Sequence, residues 1–82
     1  MKSKIYISYK DGILDPQGQT VQNALKNMGL KNIKSVRIGK FIEVDFENIS
    51  NKEAEALTKE SCEKLLANPN TEIYQFEIKE NG

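Results

Sequence analysis

Apolar and polar positions alternate through Lys4-Ile5-Tyr6-Ile7-Ser8-Tyr9-Lys10, which sets Ile5, Ile7 and Tyr9 on one face and Lys4, Tyr6, Ser8 and Lys10 on the other. A period of two is what a half-buried strand requires, so this is read as the first strand. Asp11-Gly12 ends it with turn chemistry. Asp15-Pro16 then supplies a capping carboxylate and a proline at the first helical position, where its missing N–H costs nothing. Val21, Ala24, Leu25 and Met28 recur at helical spacing, and Gly29 follows as a residue able to close the helix left-handed, so a helix is expected over about residues 16 to 28.

A second helix is marked at Ser50, where Ser50 and Glu53 have the spacing of a capping box flanked by Ile49 and Ala54. Leu57, Cys62, Leu65 and Leu66 are expected on its buried side, and Asn68-Pro69-Asn70 to stop it. The last strand is read at Ile73 to Lys79, with Tyr74, Phe76 and Ile78 sharing a face.

Parity decides how the middle segment, Ser35 to Glu47, is read. A two-residue hairpin at Gly39-Lys40 would put Val36 and Ile38 on the face of Glu43 and Asp45. Keeping Val36, Ile38, Ile42, Val44 and Phe46 together instead requires an odd-length loop or one long strand bent at Gly39. The long strand is preferred. The expected fold is therefore α+β: one small two-layer domain over residues 1–82, ordered β-α-β-α-β, with the middle strand long, bent or split at Gly39-Lys40 and both helices on one face. If the chain turns back there, the alternative is the ferredoxin-like β-α-β-β-α-β arrangement. In the long-strand version half of that strand overhangs a three-stranded sheet, and an overhanging edge invites another chain.

Composition narrows the function. A domain of 82 residues buries only about 60 to 65 percent of its unfolded surface, so association would help it. No apolar run is long enough to span a bilayer and none has the form of a signal peptide, which with a single cysteine, Cys62, gives the expectation of a cytoplasmic protein with no membrane partner. Net charge is zero but divided: residues 1 to 42 hold eight Lys or Arg against two Asp, and residues 43 to 82 hold four Lys against ten Asp or Glu. A strong nucleic-acid binder is usually basic overall, so no nucleic-acid partner is expected.

Candidate chemistry is sparse. Histidine is absent, which removes the commonest general base and metal ligand, and Cys62 among leucines reads as a packed thiol. Glu43, Asp45 and Glu47 share a strand face and have the oxygens a hard cation needs, but a solvated strand face explains them as well, and no metal is assigned. The glycines form neither a dinucleotide fingerprint nor a phosphate loop. Tyr6 with Phe41 or Tyr74 lacks the aromatic run of an RNA-binding sheet. Arg37 is the only arginine beside eleven lysines, and its two-pronged guanidinium is suited to a defined carboxylate or phosphate partner.

Asp11-Gly12-Ile13-Leu14-Asp15-Pro16-Gln17-Gly18, the run Val21-Gln22-Asn23-Ala24-Leu25 and Val36-Arg37-Ile38-Gly39-Lys40 together resemble the PurS family, the small subunit of phosphoribosylformylglycinamidine (FGAM) synthase, over nearly the whole chain. The resemblance implies a non-catalytic assembly subunit in de novo purine synthesis that dimerises and joins a large ATP-dependent synthetase subunit to a glutaminase subunit, so that ammonia passes between them. It implies no cofactor on this chain, with ATP, Mg and glutamine used by the partner subunits. Partner contacts are expected at Asp11, Leu14, Asp15, Pro16, Gln17, Arg37 and Lys40. Self-association is expected along Gly39, Phe41, Ile42, Val44 and Phe46. The competing readings are an ACT-like small-molecule sensor, an RNA-binding module, and an acylphosphatase-like enzyme, the last lacking an arginine in the first turn.

Overall fold

The computed structural model describes residues 1–80 and has the order β1 (Lys2–Tyr9), α1 (Pro16–Asn27), β2 (Lys40–Asp45), α2 (Asn51–Ser61) and β3 (Glu72–Lys79). The sheet is antiparallel with β1 in the centre, in the order β2-β1-β3. The α+β class and the β-α-β-α-β order agree with the sequence reading, and neither the hairpin at Gly39-Lys40 nor a fourth strand forms among the described residues.

Register explains the core. Ile5 lies opposite Ile42 and Phe76, and Ile7 opposite Tyr74, so the inward positions of three strands meet in one layer. Ile5, Ile7, Cys62 and Ala67 form the buried cluster, with Ile42, Val44, Leu66, Tyr74 and Phe76 packed against it.

Both helix starts follow the local chemistry. Asp15 accepts from the Gly18 N–H at 2.8 Å with Pro16 at the first position, and the Ser50–Glu53 capping box is reciprocal. Gly29, at φ +89°, closes α1 with its N–H on the Lys26 carbonyl and that of Leu30 on Leu25.

The buried side of α2 agrees with the expected one at Cys62 and Leu66 and departs from it at Leu57 and Leu65. Ala54, Thr58 and Cys62 face the sheet, small residues at a spacing of four that allow close approach, while Leu57 is exposed and Leu65 is 82% exposed. Leu57 lies off the Ala54-Thr58 row within the regular helix, and Leu65 is turned out by a π-turn over Cys62–Leu66, in which the Ala67 N–H reaches back five residues to the Cys62 carbonyl. That wide turn gives Leu66 the inward position an uninterrupted α-helix would give Leu65.

Among the described residues only α2 covers the sheet. The single buried residue of α1 is Gly18, Val21 lies open and Met28 is 74% exposed. The radius of gyration is 16.3 Å, against about 12 Å for a compact domain of this length, and the longest dimension is 51 Å. A single chain thus leaves one of its two helices without a layer to pack on.

Candidate functional site

The residues expected at interfaces converge where the loop after β1 meets the segment that leads into β2. Turn chemistry forms the loop: the Ile13 N–H donates to the Lys10 carbonyl at 3.2 Å and Gly12 sits at φ +84°, a conformation that favours glycine. Lys10 anchors its base, since its N–H donates to the Thr71 carbonyl at 2.9 Å and its Nζ to the Pro69 carbonyl at 2.7 Å.

Arg37 has the defined partner its geometry suggested, within its own chain. One guanidinium nitrogen donates to Asp11 Oδ1 at 2.8 Å and the other to the Tyr9 carbonyl. Asp15 is likewise occupied: Oδ1 accepts from Gly18 and Oδ2 accepts from the Ile38 N–H at 2.8 Å. Those N–H donors, Gly18 foremost and then Ile38, hold its carboxyl below the usual range, since they favour the ionised form.

Two glycines make the approach possible. A Cβ on Gly18 would collide with the Val36 carbonyl and lie 2.6 Å from Asp15 Oδ2, and one on Gly39 would strike the Ile7 carbonyl. Gly39 therefore serves close approach to β1 and not a left-handed kink. Lys40 enters β2 beside Glu72, with 3.6 Å between their charged groups.

The set is mostly exposed. Asp11 and Arg37 pair with each other but stay open to solvent, Asp15 is half-buried, Pro16 and Gln17 are exposed at the start of α1, and Leu14 is 73% exposed at the loop tip. Of the self-association residues, Ile42 and Val44 turn into the core, Phe46 is half-buried and Phe41 lies on the outer face against Tyr6, ring centres 5.2 Å apart. What β2 offers outward is backbone. The Phe46 N–H donates to the Met1 carbonyl at 2.8 Å, so by strand alternation Ile42 and Val44 also turn their N–H groups toward β1, while Phe41, Glu43 and Asp45 turn theirs to the open edge.

Upstream of that edge the alternation continues without a phase change. Val36, Ile38, Ile42, Val44 and Phe46 are all half-buried and Arg37, Phe41, Glu43 and Asp45 exposed, although residues 30–39 belong to no strand. Sequence reasoning missed the tight seat of Gly18 against Val36, which only the fold brings together.

The geometry shows little means of chemistry. Among the described residues no three His, Cys, Asp or Glu side chains converge, and Glu43 is held by Lys2 at 2.8 Å, a contact that lowers its pKa. Burial pushes the Cys62 thiol up, away from the reactive thiolate. Two grooves are of ligand size, about 400 Å³ over Tyr6, Ser8, Lys40, Phe41 and Tyr74 and about 490 Å³ between Pro16, Thr20, Val21 and Ile38, but both are open to solvent and largely apolar, and a smaller cavity of about 40 Å³ between Ile7, Gln17, Ile38 and Glu72 has room for little more than a water.

Comparison with known proteins places this architecture. The PurS profile, described as phosphoribosylformylglycinamidine (FGAM) synthase, matches residues 2–80. The chain is 47% identical over 79 residues to the Bacillus subtilis phosphoribosylformylglycinamidine synthase subunit PurS, covering 96% of this chain and 93% of that one. In structure it is similar to Methanocaldococcus jannaschii PurS, with a TM-score of 0.87 at 33% identity over 99% of this chain and 98% of that one. It is similar also to a chain of the Thermotoga maritima PurLQS structure, with a TM-score of 0.82 at 34% identity and 93% of each chain covered.

Proposed function

This chain belongs to the PurS family, and on that premise we propose that it is the non-catalytic assembly subunit of an FGAM synthase, pairing with a second copy and bridging a synthetase subunit to a glutaminase subunit for ammonia transfer. In this reading ATP, Mg and glutamine are handled by those partners, and this chain holds no cofactor.

One observation carries the self-association. The open edge of β2 runs straight into residues 35–39, which keep strand parity, have no ladder partner among the described residues and show Val36 and Ile38 only half covered. A second copy laid antiparallel along this edge supplies the missing partners to both chains and brings apolar surface to the uncovered side of α1. Exposed backbone edges and a small core favour such pairing.

Because Ile42 and Val44 also fill the core, changing them would unfold the domain as well as the pair, so the edge itself is the better target. Glu43→Pro removes an N–H that β1 does not use. Sedimentation should show a dimer for the unaltered chain and a monomer with an unchanged circular dichroism spectrum for the variant. A variant that remains dimeric would place self-association elsewhere.

A further inference from the structure

We infer that α1 of one copy is the second helix of its partner's layer, lying beside α2 over β2 with Val21 and Met28 packed against the Leu57, Ile42 and Val44 side chains of the other copy. The inference rests on the pairing reading above and names the surface that covers α1.

Backbone parity fixes which faces meet. Along the open edge Phe41, Glu43 and Asp45 offer their N–H groups and Arg37 and Gly39 are in phase with them, while the Ile38 N–H, turned the other way, is taken by Asp15. An antiparallel copy bonds odd positions to odd ones. In every such register Val36 and Ile38 stand opposite even positions of the other β2 and join Ile42 and Val44 on its inner face.

Helix α1 travels with that segment. Gly18 is seated against the Val36 carbonyl, Asp15 holds the Ile38 N–H, and Val21 and Ile38 line one groove, so α1 lies on the face to which Ile38 points. When residues 36–38 of one copy join the other sheet, α1 is carried onto the face that α2 already occupies.

A seat is open there. Helix α2 lies over β1 and β3, and Ile42 and Val44 of β2 are only half-buried. Glu63 accepts from the Tyr74 hydroxyl of β3 at 3.1 Å, so that flank of the helix faces β3. Leu57, on the other flank of the Ala54-Thr58 row, faces β2 and is exposed. Strands about 4.8 Å apart make a four-stranded sheet about 19 Å wide, room for two helices of about 10 Å where three strands seat one. What α1 brings is a row without charge, since Val21, Ala24 and Met28 fall at i, i+3 and i+7 and all are exposed. A helix of any other protein would have to displace α1 from the place to which strand pairing delivers it.

The test uses the whole chain. In dimers mixed from isotopically labelled and unlabelled copies, filtered NOE spectra should connect the Val21 or Met28 methyls of one copy to the Leu57, Ile42 or Val44 methyls of the other. Met28→Gln should weaken the dimer by about tenfold in sedimentation, with the circular dichroism spectrum unchanged because Met28 is exposed in the single chain. Met28→Leu should dimerise as the unaltered chain does. A Met28→Gln dimer within twofold of normal, or a dimer lacking those contacts between copies, would overturn the inference and leave the strand pairing, tested by Glu43→Pro, standing. An unaltered chain that stays monomeric would instead overturn the pairing reading, and this inference with it.

Discussion

Asp15 shows how much one short side chain settles. Its two oxygens start α1 and hold Ile38, tying helix to strand approach without a hydrophobic contact. The carboxyl is held below its ordinary value, so the sign follows: its contribution is fully present above the unfolded value of about 4 and is lost as pH falls through the lowered folded value. Asp15→Asn should flatten that part of the acid limb of a stability curve measured by urea unfolding, and an unchanged acid slope would refute the role. This site was partly legible beforehand. The cap at Asp15-Pro16 reads locally, from residues three apart, but its second bond crosses to Ile38 through a contact that exists only once the chain has folded.

Among the elements, α2 separates what local pattern settles from what it does not. The Ser50–Glu53 box is a short-range device and formed as read, and Ser50→Ala should cost about 1 kcal/mol in thermal unfolding because it strips that cap. The buried stripe was half right: of the four residues expected inside, Cys62 and Leu66 are there, while Leu57 is exposed and the π-turn at Cys62–Leu66 leaves Leu65 outside. Nothing in an apolar repeat announces a five-residue turn, which arises where the helix end is fitted to the sheet. Leu65→Gln should therefore change stability by no more than about 0.5 kcal/mol, and a larger loss would show the side chain to be buried. The middle segment went the other way. Its parity argument, which kept Val36 and Ile38 in phase with Ile42 and Val44, holds across Gly39, although only Lys40–Asp45 is paired.

As a whole molecule the chain is elongated and thin, 51 by 31 by 14 Å, with one helix on the sheet and the other lacking cover. An apolar stripe reads from sequence as a face to be buried. It does not reveal whether the same chain or another will bury it, and in α1 the stripe lies open. That is the physical sense in which the fold was legible and the assembly was not, apart from the family resemblance. The account holds that this polypeptide contributes placement and no chemistry to FGAM synthesis. The most direct measurement compares product formation by synthetase and glutaminase subunits, with and without this chain, using glutamine or free ammonia as the nitrogen source. Glutamine-dependent turnover should require the chain while ammonia-dependent turnover proceeds without it, and a glutamine-dependent rate unaffected by its omission would contradict the account.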